Sequence, residues 1–128
     1  MRKFLEGKQL LHYAAGNYLM GMVYSKLAQG GGEKKDFSFI LKNIPFLVKT
    51  LPFARKKAEK HLTIAIKTAK EIGAKSLLGQ TYLELGKLHK AKGRQEKARV
   101  CILNAIEAFE KCEADVFLEQ ARESLSSL

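Results

Sequence analysis

The sequence predicts an all-α protein built from antiparallel helical hairpins, and three observations lead to this fold class. Apolar and small residues between about Gly79 and Glu110 recur at alternating spacings of three and four, which is the period of an amphipathic helix. Gly93 interrupts this pattern near its middle, where a tight turn would join two helices. A third observation is an internal repeat with a spacing of forty residues, which relates Ala58, Leu62, Ala65 and Ile66 to Ala98, Ile102, Ala105 and Ile106.

The second hairpin carries a more specific order of small and large residues. The order runs through Tyr82, Leu85, Gly86, His89, Gly93, Ala98, Ile102 and Ala105. It resembles the tetratricopeptide repeat (TPR), although His89 stands where that family usually has an aromatic residue and Glu110 where it commonly has proline. The resemblance implies a short right-handed solenoid of TPR-like hairpins with a C-terminal capping helix. It also implies a protein-binding groove lined by the first helix of each repeat.

The length of 128 residues predicts a single domain, residues 1–128, in which two repeats and a cap can be placed. The first repeat is expected at about residues 9–73, the second at about 76–112 and the capping helix at about 115–127. Within the first repeat, a helix is expected from Gln9 to Ala28, followed by a glycine-rich break. Its second helix is expected to start near Thr50, a plausible N-cap, and to end at Gly73.

Residues 29–53 are predicted to form an insertion between the two helices of the first repeat. Large apolar residues crowd this segment, and Pro45 and Pro52 are expected to divide it into short helical turns. Because large exposed apolar patches are rare on monomers, three roles remain open: extra core, a homodimer or groove contact, and docking on a membrane surface. The residues assigned to the homodimer or groove contact are Phe37, Phe39, Ile40, Phe46 and Leu47.

The groove implied by the resemblance takes its residues from corresponding positions of the two repeats. The first repeat would supply Tyr18, Leu19, Met22 and Lys26, and the second would supply Gln80, Leu83, Glu84, Lys87 and Lys90. Such a groove would be apolar at one end and basic at the other, which suits an extended or helical peptide with apolar and acidic side chains. The lysine and asparagine set with which some family members hold a C-terminal carboxylate is incomplete here. The structural alternative is that these residues only pack against the insertion.

The net charge of +10 is concentrated in the middle of the chain. Residues 42–70 carry eight basic residues against the single acid Glu59, a net charge of +7, whereas residues 101–128 carry two bases against six acids, a net charge of −4. The basic stretch supports a rival function, binding of an anionic membrane or nucleic acid through residues 42–70. Nucleic acid is the weaker option, because no aromatic residue that could stack on bases lies between Lys56 and Lys70. Steep weakening by salt would separate either ligand from a peptide in an apolar groove.

The sequence shows no catalytic or metal-binding pattern. His12, His61 and His89 lie far apart, and no two of them have the i, i+4 spacing of a helical metal site. The acids that cluster at residues 107–115 are typical of a solvated helix end. We therefore expect a non-catalytic protein without a cofactor or metal, in which Cys101 and Cys112 are reduced thiols.

The expected location is cytoplasmic, because no apolar run is long enough for a membrane span and polar residues interrupt any signal-peptide core. From about residue 15 to residue 128, the chain resembles the C-terminal helical-repeat region of bacterial multidomain regulators that carry a nucleotide-cyclase or ATPase domain upstream. That resemblance implies a sensor or docking module of a signalling protein. None of the upstream catalytic motifs occurs in this sequence, so no activity is carried over.

Overall fold

The computed structural model describes the backbone of residues 2–28 and 45–128, and side chains at residues 6–26 and 53–128. Within those residues the chain forms five α-helices and no strand. The helices are α1 (Arg2–Ala28), α2 (Pro45–Ile72), α3 (Lys75–Ala91), α4 (Gln95–Lys111) and α5 (Asp115–Ser126). The all-α fold class predicted from the periodicity is confirmed.

Two helix starts differ from the sequence prediction. Helix α1 begins at Arg2 rather than near Gln9. Helix α2 begins at Pro45 rather than near Thr50, and it continues through Pro52, so these two prolines do not divide the segment into separate turns. Proline is well tolerated in the first helical turn, and inside a helix it removes one backbone hydrogen bond while the bonds on either side remain. Of the predicted insertion, residues 45–53 therefore belong to α2, and residues 29–44 lie outside the described part.

The three short turns that follow α2, α3 and α4 share one backbone geometry. Each contains a residue with a left-handed φ angle: Gly73 (70°), Gly93 (77°) and Glu113 (56°). In each turn, the next residue donates its backbone N–H to a carbonyl five residues earlier, from Ala74 to Ala69 (3.0 Å), from Arg94 to His89 (2.8 Å) and from Ala114 to Phe109 (3.1 Å). This is the Schellman pattern of helix termination. The helix ends predicted at Gly73 and Gly93 are confirmed.

Within each helix pair, a glycine lies against a large apolar side chain of the partner helix. A methyl group added at Gly21 in α1 would lie 2.7 Å from the Leu62 side chain in α2. One added at Gly86 in α3 would lie 2.8 Å from the Ile102 side chain in α4. Because real carbon atoms do not approach so closely, a side chain at either position would push the helices apart. Leu62 and Ile102 are forty residues apart, so the sequence repeat corresponds to the same close approach in both pairs.

The core consists of two apolar clusters that follow one another along the chain. The first joins α1, α2, α3 and Cys101 of α4, and the second joins α3, α4 and α5, with Tyr82 packed against both. The predicted core positions on α2 (Ala58, Leu62, Ala65 and Ile66) are buried, as are Ala98, Ile102 and Ala105 on α4. Ile106 is partly buried and packs against the second cluster. The repeated apolar positions are thus confirmed as core.

Each helix packs mainly against the helices that precede and follow it in sequence. Of the described helices, those two positions apart approach each other closely only when they are odd-numbered. Helix α1 contacts α3, and α3 contacts α5. By contrast, no Cα atom of α2 lies within 8 Å of a Cα atom of α4 in the described residues. Odd-numbered helices therefore lie closer to one another than even-numbered ones. This arrangement leaves one face formed by α1, α3 and α5, and an opening between α2 and α4.

Candidate functional site

Helix α3 is covered on most sides, and one group of its accessible residues forms a narrow strip. Residues of α3 that face α1, α2, α4 and α5 are buried, including Leu85, Gly86 and Leu88. The exposed or half-buried residues of the strip are Ser76, Gln80, Glu84, Lys87 and Lys90. Their spacings of four and three place them on one side of the helix. We call this strip, together with the adjoining surfaces of α1 and α5, the odd-helix face.

Two side-chain interactions connect the strip of α3 to its neighbouring helices. Lys90 Nζ donates to Ser127 Oγ at 3.0 Å, which links α3 to the residue that follows α5. On the other side, burial raises the pKa of Tyr18 in α1 above its ordinary value, and the negative charge of Glu84 raises it further. The Tyr18 phenol and the Glu84 carboxylate are therefore close enough to interact. The three odd-numbered helices thus present one continuous surface.

The four groove residues predicted on α1 differ in how accessible they are. Leu19 is 53% exposed and Lys26 is exposed, so both are available to a partner. Tyr18 and Met22 are half-buried, and Tyr18 packs against the first core cluster. Leu19 is one of several large apolar side chains that remain exposed on α1. Two of the four predicted residues are thus accessible, and the groove itself stays a prediction.

The five residues predicted on α3 include one that is not accessible. Gln80 and Glu84 are half-buried, whereas Lys87 and Lys90 are exposed. Lys87 lies 3.5 Å from Glu84, so part of its charge is already compensated. Leu83 is only 4% exposed and belongs to the second core cluster together with Ala121 of α5. It packs between helices and offers no surface to a partner, because α5 covers it.

The odd-helix face also includes residues that the sequence prediction omitted. On α1, Leu11 is exposed, and on α5 the exposed residues include Val116, Gln120 and Glu123. The repeat register could have identified them, since Leu11 lies 65 residues before Ser76, as Gly21 lies before Gly86. Val116 follows Ser76 by the forty-residue period. The face therefore changes from mainly apolar on α1 to mixed charge on α3, and α5 adds the apolar Val116, the polar Gln120 and the acid Glu123.

The residues assigned to a homodimer or groove contact cannot be placed on this face. Phe37, Phe39 and Ile40 lie outside the described residues. Phe46 and Leu47 belong to the first turn of α2, but their side chains also lie outside the described part. Their role stays a prediction.

The side of α2 that faces away from the core is strongly basic. Four exposed lysines recur along it at spacings of four, seven and three residues: Lys56, Lys60, Lys67 and Lys70. None of them forms an ion pair with a carboxylate among the described residues. Of the two acids of α2, Glu71 is exposed, whereas Glu59 accepts a hydrogen bond of 2.8 Å from Lys92 and lies 3.8 Å from Arg94. The hydrogen bond from Lys92 holds the pKa of Glu59 below its ordinary value.

The three histidines have separate structural environments. His12 donates to the Lys8 carbonyl at 2.8 Å, and His61 Nδ1 donates to Asn17 Oδ1 at 2.8 Å while its ring stacks on Tyr24. His89 is 5% exposed, and its Nδ1 has no hydrogen-bond partner within the described structure. No group of three histidine, cysteine, aspartate or glutamate side chains in the described residues could hold a metal ion. None of the described helices is both long and apolar enough to cross a membrane.

Comparisons of the chain with protein-family models, with curated proteins and with solved structures found no match.

Proposed function

We propose that this chain is a non-catalytic protein-interaction module that binds a peptide or a partner domain along the odd-helix face. The observation that carries the proposal is the exposure of several large apolar side chains along α1, of which Leu11 and Leu19 belong to this face by the repeat register. Large exposed apolar surfaces on monomeric proteins commonly mark interaction sites. The face is wide enough to span three helices and has a different chemistry on each.

We further propose that the helices form a short TPR-like solenoid, which the resemblance implies to be right-handed. The backbones of the odd-numbered helices approach each other closely while those of α2 and α4 do not, so the stack would curve toward the odd-helix face. The equivalent glycine contacts, Gly21 with Leu62 and Gly86 with Ile102, support two copies of the same hairpin. A concave surface would let one peptide contact several helices at once.

The charges and apolar side chains of the face define the kind of peptide that fits it. An apolar side chain of the peptide would lie against Leu19 and the accessible part of Met22 on α1. An acidic side chain would lie near Lys90, because Lys87 is already paired with Glu84. An amphipathic helix or an extended segment with both features could satisfy this surface. Such an adaptor role suits a regulatory part of a signalling protein.

The proposal is tested by selecting peptides on the parent protein and measuring their affinity for two matched variants. Leu19→Glu places a charge on the odd-helix face, and Leu103→Glu places the same charge on the exposed side of α4. Both leucines are accessible, at 53% and 48%, so neither change should unfold the protein. We expect Leu19→Glu to weaken peptide binding about tenfold or more and Leu103→Glu to leave it within about twofold.

Circular dichroism would confirm that both variants remain folded with similar Tm values. Selected peptides that bind Leu19→Glu as tightly as the parent would contradict the proposal. So would peptides whose binding is lost only in Leu103→Glu, since that result would move the interaction to α4.

A second candidate function rests on the four unpaired lysines along α2, which could bind an anionic membrane or nucleic acid. Ala58 and Leu62 on the apolar side of α2 are buried, so this part of the helix would bind through its charge and not by insertion into lipid. Binding of this kind would show an affinity for anionic vesicles or oligonucleotides that falls steeply between about 50 and 200 mM salt. Binding of selected peptides that survives the same change of salt would favour the odd-helix face.

A further inference from the structure

The opening between α2 and α4 contains a small pocket on the side of the molecule away from the odd-helix face. Because the backbones of α2 and α4 stay more than 8 Å apart from Cα to Cα within the described residues, α3 forms the floor of this opening. The pocket has a volume of about 250 Å³ and is lined by residues from all three helices: Lys70, Lys75, Leu78, Tyr82, Asn104, Glu107, Ala108 and Lys111. This volume lies below the roughly 300–1,000 Å³ of pockets for drug-sized molecules, so it suits a small ligand or a single side chain.

Three lysines from three different helices surround the pocket and outnumber its one carboxylate. Lys70 belongs to α2, Lys75 to α3 and Lys111 to α4. Lys111 pairs with Glu107 at 3.0 Å, while neither Lys70 nor Lys75 forms an ion pair with a carboxylate among the described residues. Three positive charges against one negative charge leave an excess of two. The pocket is therefore electrostatically matched to a dianion.

The lysine charges act together with a second feature of the pocket, its floor. The helix dipoles add no net positive charge, because the N-terminus of α3 at Lys75 shares the pocket with the last turns of α2 and α4, which contain Lys70 and Lys111. The floor is apolar and aromatic, since Leu78 and Tyr82 line it and the Lys70 ammonium lies 5.5 Å from the centre of the Tyr82 ring. A ligand that used both features would carry an anionic group on a small planar or apolar body.

We propose that this pocket between α2, α3 and α4 binds the phosphate monoester of a small aromatic or apolar group. A phosphate monoester carries a charge near −2 at pH 7 and three acceptor oxygens, which match the lysine excess. The carrier rests against Leu78 and Tyr82. The same chemistry is offered by a free aryl phosphate and by a phosphotyrosine side chain of a peptide. The site is separate from the odd-helix face and does not depend on the function proposed for it.

The test is calorimetric titration of the parent chain with phenyl phosphate, together with NMR mapping of the perturbed amides. Phenol and inorganic phosphate, at the same ionic strength, serve as the apolar and anionic halves of the probe. We expect saturable binding of phenyl phosphate, weaker binding of each half, and the largest amide shifts at the residues that line the pocket. Affinity should fall from pH 7.5 to pH 5, because the second phosphate pKa lies near 6.

Matched lysine variants separate a built pocket from general attraction to a basic protein. The pocket variant combines Lys70→Gln, Lys75→Gln and Lys111→Gln, and the control combines Lys56→Gln, Lys60→Gln and Lys67→Gln. Each removes three positive charges from exposed positions, so Tm should change little in either. We expect the pocket variant to bind phenyl phosphate about tenfold or more weakly and the control to stay within about twofold.

A single substitution at Glu107 tests whether the positive charge of the pocket drives binding. Glu107→Gln removes the only negative charge of the pocket and releases Lys111, so affinity for phenyl phosphate should rise about threefold or more.

A phosphotyrosine peptide that binds more tightly than phenyl phosphate would assign the phosphate group to a peptide, and equal affinities would assign it to a free small molecule. The proposal is overturned by phenol binding as well as phenyl phosphate, by equal losses in both lysine variants, or by no saturable binding below about 10 mM.

Discussion

The two helical hairpins, α1/α2 and α3/α4, share one backbone approach but surround it with different side chains. In the first, Gly21 faces Leu62, the His61 ring stacks on Tyr24, and His61 donates to Asn17. In the second, Gly86 faces Ile102, and the residues at the equivalent positions are Cys101, His89 and Tyr82. There the hydrogen bond is replaced by apolar contacts, because Cys101 belongs to the first core cluster and Tyr82 packs against it.

This difference shows that the glycine and its large partner set the helix separation, whereas the polar chemistry around them can vary. The two hairpins also differ in which helices cover them. The second hairpin is covered by α2 on one side and by α5 on the other. Within the described residues, no helix packs on the outer side of the first hairpin, and several large apolar residues of α1 remain exposed. The first hairpin is therefore the one with apolar surface to offer a partner.

The largest expected effect comes from removing the large partner of each glycine. Leu62→Ala and Ile102→Ala should each lower the free energy of unfolding by about 3 kcal/mol, because both side chains are fully buried and leave a cavity. Urea unfolding of both variants measures the effect. Leu103→Ala, at an exposed neighbour of Ile102, is the control and should change stability by less than about 0.5 kcal/mol. Losses that differ by more than about 2 kcal/mol between the two variants would show that the two hairpins are not equivalent.

A smaller effect is expected at the turns that follow the two helices of the second hairpin. Gly93 and Glu113 both have a left-handed φ angle, which costs about 1 kcal/mol for a residue with a side chain. Glu113→Gly should therefore raise the free energy of unfolding by about 1 kcal/mol, and Gly93→Ala should lower it by a similar amount. Glu113→Ala removes the charge but keeps the strain. If it stabilises the protein as much as Glu113→Gly, the gain comes from charge and not from the backbone.

The smallest expected effect concerns His89, which occupies in the second hairpin the position that Tyr24 has in the first. Burial lowers the pKa of His89 below its ordinary value of 6.5, so the folded protein keeps this ring neutral where the unfolded chain would bind a proton. The groups that face it, Glu59, Arg94, Lys97 and Lys92, leave that direction unchanged. Stability is therefore full above about pH 6.5 and declines as the pH falls below this value.

His89→Tyr should remove this decline and raise stability at pH 7 by up to about 1 kcal/mol, since it eliminates a buried nitrogen without a partner. A cavity bounded by His89, Lys97 and Val100 leaves room for the larger ring. Urea unfolding at pH 7 and pH 5.5 gives both quantities. His12→Tyr, at an exposed position, should leave the pH dependence intact. A decline that is the same in His89→Tyr and in the parent would assign it to another group.

Most of the helical framework follows from the sequence, because local chemistry decides it. The spacing of apolar residues specified the buried side of α2 and α4, and Gly73 and Gly93 specified two helix ends, since glycine adopts the left-handed conformation at little cost. The turn after α4 contains no glycine, so the sequence indicated its position only through the expected start of the last helix at about residue 115. Asp115 is the first residue of this helix, its N-cap position is Ala114, and no side chain caps it.

What only the tertiary structure decided is which residues remain accessible once the helices pack. Leu83 and Leu19 occupy neighbouring registers of the same pattern, yet α5 covers Leu83 while Leu19 stays 53% exposed. The pocket of three lysines likewise depends on the packing of three helices against one another. Periodicity in one helix reports which side is apolar, but the presence of a neighbour on that side is a property of the whole fold. The sequence alone therefore determined most of the helices and their turns, although not the starts of α1 and α2, and packing determined where a ligand can reach them.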